Sequence, residues 1–180
     1  HCMTPWFGLY GSKSGFDSLK ECFQDQVKHI YAIESGMSAD PQMLWRFKEK
    51  INVVSFSDAH SFWPWRIGRE ATIFEIPELS YDNIIKAIRT GENLKATIET
   101  PPAYGKYHYD GHRKCSFSCS PEKTKGLKGI CPVCKNPMTI GVDNRVEELA
   151  KESKNYKPKD AKPFYILLPL HELIALHLGS

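Results

Sequence analysis

The chain of 180 residues has room for one or two domains, and 41% apolar with 25% charged residues is ordinary globular composition. That excludes disordered, collagen-like and coiled-coil chains. The net charge of +3, from 24 basic and 21 acidic side chains, is too small to name a polyanionic partner. The longest apolar stretch, 164–178, is interrupted by Pro169, His171, Glu172 and His177. It falls short of the ~20 apolar residues that span a membrane, so no membrane partner is expected. The chain does not open on a basic segment followed by an apolar one, its first residue is His1, and it ends within a helical pattern begun at Pro169; an internal piece of a longer protein is expected.

Leu19, Cys22, Phe23, Val27 and Ile30 form a helical stripe, predicting a helix from Asp17 to Ile30 with Asp17 as N-cap. Residues 31–33 read as a short strand. Asp40-Pro41 predicts a second helix start, running to about Lys50, with Pro41 in the first helical position. Residues 51–56 read as a buried strand, followed by Ser57-Asp-Ala-His60. Residues 71–74 form another strand, Ser80 to Thr90 a helix closed by Gly91, and 94–98 a further strand. Such alternation, with polar residues just past the strands, predicts a parallel α/β layer or barrel.

Pro101-Pro102 marks a boundary. Residues 1–102 are thus expected to form one unit, 103–143 a metal-binding module and 144–180 a helical segment. Within the last, Asn144 is the predicted cap of a short helix to Lys151, with Glu147 three residues on. A Lys/Pro-rich linker, 154–163, precedes the terminal helical pattern.

Cys115 and Cys119 form a C-x3-C pair, and Cys131 and Cys134 a C-x2-C pair, while Cys2 and Cys22 stand alone. Two short-spaced pairs suit a structural Zn2+ held by four thiolates, a closed site with no place for a reacting water. A reducing compartment, the cytoplasm, follows. His108 and His112 are then surplus to coordination. Between Tyr104 and Lys135 seven bases face two acids, a local positive balance that the net charge conceals.

Asp58-Ala-His60 follows a strand, where carboxylate and imidazole can converge on zinc, manganese or iron; alone, it also fits an ordinary βα turn. His1 is a further ligand candidate. Glu34 is a ligand, an orienting partner or an exposed strand end. The loop from Leu9 to Asp17 holds Ser12, Lys13 and Ser14 before a helix start, which suits a phosphate or a plain flexible connection. Phe62-Trp-Pro-Trp-Arg-Ile-Gly-Arg69 and Tyr104-Gly-Lys-Tyr-His-Tyr-Asp-Gly-His-Arg113 interleave rings with bases. They offer stacking faces and phosphate partners for unpaired nucleotides, the alternative for Trp63 and Trp65 being core packing.

Three stretches together resemble the endonuclease Q family of the PHP (polymerase and histidinol phosphatase) superfamily: residues 1–16, 55–72, and 104–113 with Cys115-Ser-Phe-Ser-Cys-Ser-Pro121. The resemblance implies the C-terminal part of a PHP-type distorted (β/α) barrel, then a small four-cysteine zinc domain, then the start of a helical part. It implies nicking of DNA 5′ of deaminated bases (uracil, hypoxanthine) or at abasic sites, with catalytic Mg2+, Mn2+ or Zn2+. His1, Asp58 and His60 match family metal ligands, Glu34 a glutamate at a strand end, and Cys115, Cys119, Cys131 and Cys134 the zinc ligands. Trp63, Arg66, Lys106, Tyr107 and Tyr109 are the implied DNA-contacting candidates, the partner being damaged duplex or single-stranded DNA. The family's opening H-x-H is absent, so the piece alone is expected to be inactive. Two other functions fit the residues: a PHP phosphoesterase acting on a small phosphate ester, and a non-catalytic zinc-stabilised nucleic-acid-binding module.

Overall fold

The computed structural model describes residues 1–179. Ser18 caps helix α1 (Leu19–Phe23) by accepting from the Glu21 N–H, and a 3-10 turn over Gln24–His29 follows. The single helix predicted from Asp17 is thus divided, because Gln24 takes a positive φ of 50° that interrupts the α-helical ladder. Asp17 is released from capping and pairs with Arg145. Strand β1 (Ala32–Glu34) leads to helix α2 (Pro41–Trp45), capped by Asp40, whose carboxylate accepts from the Met43 N–H at 2.8 Å. This helix stops short of the predicted Lys50, with Lys48 at φ 62°. Strand β2 (Asn52–Val54) then runs parallel to β1, pairing Ala32 with Asn52 and Glu34 with Val54.

Strand β3 (Ala71–Phe74), helix α3 (Tyr81–Thr90) and strand β4 (Leu94–Glu99) follow close to their predicted bounds. Ser80 caps α3, and Gly91 closes it at φ 73°, a conformation glycine adopts without strain. β3 and β4 pair antiparallel, a departure from the wholly parallel layer predicted; the connection through α3 is not the full crossover that brings a parallel neighbour back in the same sense. Beyond a 3-10 turn at Pro102–Tyr104, β5 (Asp110–His112) and β6 (Phe117–Cys119) form a hairpin. Helix α4 (Pro121–Gly126) is capped by Ser120, and helix α5 spans Val142–Leu149.

Asn144 is not the cap of α5 but lies inside its first turn. The capping oxygens come from Asp110 of β5, which accepts from the Gly141 N–H at 2.6 Å and from Asn144 Nδ2 at 2.5 Å. A buried carboxylate at a helix start satisfies free N–H groups and complements the helix dipole. It also joins the hairpin to α5. Residues 164–166, read as leading into a helix, form strand β7 (Phe164–Ile166), parallel to β4 with Thr97 opposite Phe164. Phe-Tyr-Ile is a ring-rich, β-branched triplet suited to a pleated surface. Helix α6 (Leu170–Leu178) begins where predicted. The fold is mixed α/β, and no helix among the described residues is long and apolar enough to cross a membrane.

Val142 and Val146 of α5 pack with Met3, Tyr10, Leu19, Ile33, Leu44 and Phe47 in one buried cluster. The principal core therefore joins residues on both sides of Pro101-Pro102. Arg145 reinforces this closure by donating to the carbonyls of Tyr10 and Phe16, both at 2.9 Å. Arg46 grips Glu147 with two hydrogen bonds, at 2.9 and 3.1 Å, the bidentate geometry that makes guanidinium–carboxylate pairs strong.

A second feature of the interior is polar. Glu70 and Glu99 are 1% and 0% exposed, and the β3–β4 register that pairs Ala71 with Ile98 makes them the next residues across the two strands. Glu99 Oε2 accepts from Ser35 Oγ at 2.9 Å and Ser55 Oγ at 3.0 Å, while Glu70 Oε1 accepts from Thr100 Oγ1 at 2.7 Å. Burial, and secondarily the charge of Glu70, push the Glu99 carboxyl up to about 7 from an ordinary 4.5; Glu70 is raised for the same leading reason, and Glu34 adds to it. The folded state therefore holds the Glu99 proton more tightly than the unfolded chain. Its contribution to stability is full below pH 4.5 and is lost as pH rises through about 7. Thermal unfolding measured from pH 4.5 to 7 should show this decline, and Glu99→Gln should remove about 3 kcal/mol of it; an unaltered slope would contradict the assignment.

Candidate active site and metal centre

β1 and β2 end side by side, and their C-terminal ends carry Glu34 and the segment leading to Asp58. Ligand sites in α/β sheets form at such carboxyl ends. Asp58 has a φ of 45°, in the left-handed region that Asp tolerates better than most residues. Its Oδ2 lies 3.4 Å from His1 Nε2 and 3.7 Å from His60 Nδ1. His60 Nδ1 is also 2.7 Å from the Asp58 carbonyl oxygen. That contact requires the proton on Nδ1 and leaves the Nε2 lone pair outward, the orientation common to metal-binding histidines.

Among the described residues, His1 Nε2 is buried with no hydrogen-bond partner. Its ring lies against Gly36, which has φ +69° and where a Cβ would sit 2.6 Å from His1 Cγ. The α-ammonium of His1 lies 2.8 Å from Glu34 Oε2, and the next residue is paired to β1 through its backbone, the Cys2 N–H donating to the Glu34 carbonyl at 3.2 Å. Thus the structure sets His1 beside the end of β1, with Asp58 between His1 and His60. One carboxylate between two imidazoles is chemically a donor set for a divalent cation, but among the described residues the atoms of these three side chains are not drawn as close together as those of the cysteine module.

The cysteine module converges differently from its prediction. The ligand atoms of His112, Cys115, Cys131 and Cys134 all lie within 4.8 Å of one another. Cys119 is not among them: at the end of β6 its sulfur turns to Thr124 Oγ1, 3.3 Å away. His112, expected to be surplus, takes the fourth place, with Nδ1 3.0 Å from Cys134 Sγ and 3.3 Å from Cys115 Sγ. The missed signal was spacing. His112-Arg-Lys-Cys115 repeats the x2 interval of Cys131-Pro-Val-Cys134, and each pair is followed by a left-handed residue, Ser116 at φ 49° and Lys135 at φ 62°.

The backbone N–H of Asn136 lowers the Cys134 thiol, whereas the hydrogen bond to Cys134, followed by desolvation, pushes Cys115 up to about 11. Three thiols and an imidazole could hold a metal ion, and this set suits tetrahedral zinc. The six cysteines form no disulfide.

The remaining candidates fall into two groups. Ser12 Oγ donates to the Ile140 carbonyl at 2.8 Å, and Ser14 Oγ to those of Gly11 at 2.8 Å and Leu9 at 3.0 Å. Ser14 thus shapes its own loop and Ser12 ties that loop to Ile140; α1 behind them is only five residues long, and of the three candidates Lys13 alone is left exposed. The rings, by contrast, face solvent. Phe62, Trp63 and Trp65 are 86%, 46% and 44% exposed, so the core-packing alternative for the tryptophans does not hold. Phe62, Trp63, Trp65 and His171 form a continuous series with centroids 5.2, 4.7 and 5.4 Å apart. Arg66 is exposed beside it. On the other flank Lys106 sits over the Tyr107 ring, Tyr107 meets Trp6 edge-on at 4.8 Å, and Tyr109 packs against His108.

The module's ligand set makes a direct prediction. In metal analysis of the purified protein, His112→Ala should lose most of the bound zinc and lower the melting temperature. Cys119→Ala should keep zinc at one equivalent with a smaller loss of stability; the reverse ranking would return Cys119 to the ligand set.

No family model matches the chain. An uncharacterized protein of Methanocaldococcus jannaschii is 36% identical over 187 residues, an alignment that takes in 100% of this chain and 23% of that protein. A solved lesion-specific endonuclease Q of Pyrococcus furiosus superposes with a TM-score of 0.84 at 37% identity, over 100% of this chain and 44% of that one. A second structure, endonuclease Q in complex with a 27-mer duplex bearing an abasic lesion at the active site, gives 0.84 at 35%, over 100% and 45%. The chain spans less than half the length of each of these proteins. The resemblance to endonuclease Q carried by the motifs is therefore a likeness of the whole chain, in sequence and in fold, to just under half of that enzyme.

Proposed function

We propose that this chain forms part of a metal-dependent DNA endonuclease of repair, which nicks the phosphodiester 5′ of deaminated bases (uracil, hypoxanthine) or abasic sites. The observation that carries the proposal is the convergence of His1, Asp58 and His60 at the ends of β1 and β2, in a chain with a whole-length likeness to a lesion-specific endonuclease. In this reading residues 1–102 are the last portion of a PHP-type barrel. Cys115, Cys131, Cys134 and His112 hold a structural Zn2+, which requires a reducing compartment such as the cytoplasm.

At the active site, Asp58 and the Nε2 atoms of His1 and His60 would hold catalytic Mg2+, Mn2+ or Zn2+. Such ions supply water activation and neutralise charge on the phosphoryl and leaving oxygens in phosphodiester hydrolysis. The chain contributes the geometry. The Asp58 carbonyl fixes the His60 tautomer, Gly36 leaves room for the His1 ring, and the Asp58 carboxylate faces both imidazoles. DNA is held outside this centre: Trp63 and Tyr109 offer exposed rings for unstacked bases, and Arg66, Lys106 and Lys13 offer cations for phosphates. Tyr107, edge-on to Trp6, fixes the position of Lys106. A deaminated or abasic nucleotide is the easiest to extrude, having already lost pairing. An appended cationic module and an exposed ring series are features that a small-ester phosphatase does not need.

In the full-length protein, Asp58→Ala should abolish nicking of uracil-, hypoxanthine- and abasic-containing duplexes in Mg2+ or Mn2+ while leaving the unfolding transition in place; persistent nicking would overturn the metal assignment. Trp63→Ala should weaken binding to the damaged duplex by about 1–3 kcal/mol, measured by fluorescence anisotropy, with little change for intact duplex. Equal losses on both substrates would assign the ring to backbone contact.

A further inference from the structure

The buried acids beneath the candidate site have no role in the ligand set, yet their hydrogen bonds reach the residues that carry it. Glu99 Oε2 is shared by the hydroxyls of Ser35 and Ser55, the residues that directly follow β1 and β2. Ser35 is adjacent to Glu34, and Ser55 stands three positions before Asp58. The same end is tied to β3, since the Ser55 N–H donates to Thr72 Oγ1 at 2.9 Å and Thr72 Oγ1 donates to the Ser55 carbonyl at 2.8 Å. Ser57, next to Asp58, is fixed to the residue before β3: its Oγ donates to the Glu70 carbonyl at 3.1 Å. Four strand ends thus meet at one buried carboxylate pair. All of Ser35, Ser55, Glu70 and Glu99 are 1% exposed or less, so removing one partner withdraws a hydrogen bond from a buried polar group.

We propose that Glu99 is a positioning residue of the active site, whose carboxylate holds the C-terminal ends of β1 and β2 at the spacing that lets His1, kept beside β1 by the Cys2 N–H to Glu34 carbonyl hydrogen bond, and Asp58-Ala-His60 bind their cation together. This rests on the reading of His1, Asp58 and His60 as metal ligands. Glu99 acts at one remove, through the two serines.

The test uses the full-length protein and Mn2+ as probe, with binding read from the electron paramagnetic resonance of free Mn2+ and activity from nicking of an abasic duplex. Glu99→Ala should weaken Mn2+ binding at the active site about 10- to 100-fold, the range for loss of residues that orient metal ligands. Saturating Mn2+ should restore much of the nicking. Glu99→Gln, whose amide oxygen can accept both hydroxyls, should stay within about twofold of wild type. Ser35→Ala combined with Ser55→Ala should reproduce the Glu99→Ala shift and decides the question if Glu99→Ala fails to fold. Wild-type Mn2+ affinity in the folded Glu99→Ala or double-serine protein would overturn the positioning role. Asp58→Ala separates the two claims: if it retains Mn2+ affinity and nicking, the ligand reading itself falls, whatever Glu99 does.

Discussion

One carboxylate oxygen of Glu99 accepts two serine hydroxyls inside the protein, and much of the architecture depends on that contact. The described strands form separate small sheets, β1–β2 and β3–β4–β7, alongside the β5–β6 hairpin. Backbone ladders therefore do not join β2 to β3; side chains do, through Ser55, Thr72 and Glu99. A parallel pair of three-residue strands is weak by itself, and an interior carboxylate is costly to bury unless its oxygens are used. Each offsets the other: the short pair is held by the acid, and the acid is stabilised by hydroxyls at the pair's ends.

A similar economy operates between the cysteine hairpin and the principal core. Asp110 is buried in β5, yet its oxygens serve the first turn of α5, and α5 fills the core with Val142 and Val146. The hairpin that gathers the thiols is thereby tied, through one side chain, to the helix that closes the core. Arg46 and Arg145 fasten the same helix from its other sides.

Local signals were legible where local chemistry decides. Asp40-Pro41, Ser80 and Gly91 marked helix ends that the structure keeps, because a cap or a left-handed glycine acts within a few residues. The placement of Asp58-Ala-His60 just past a strand was legible for a similar reason. Asp110 capping α5 was not, since the capping oxygen comes from 31 residues away and no window around Asn144 contains it. Strand β7 was missed because its partner, β4, lies far back in the chain and its own three residues sit in a Pro-bounded apolar run. Cys119 misled for another reason: cysteine spacing is visible in sequence, but the face of β6 on which a side chain emerges is set by the hairpin register, which turns residue 119 toward Thr124. Glu70 and Glu99 lie 29 positions apart in the sequence, and only the β3–β4 register places them opposite each other.

The backbone at Asp58 restricts which chemistry that position can host. At φ 45° it excludes β-branched residues and burdens most others, whereas Asp and Asn enter this region with the least strain. Glutamate would keep the charge but meet the backbone strain and carry its carboxylate one methylene further out; asparagine would keep the shape without the charge. On the proposed reading of Asp58 as a ligand of a hard cation, aspartate alone satisfies both demands, and the exchange of acid for acid, usually regarded as mild, becomes a disruptive one.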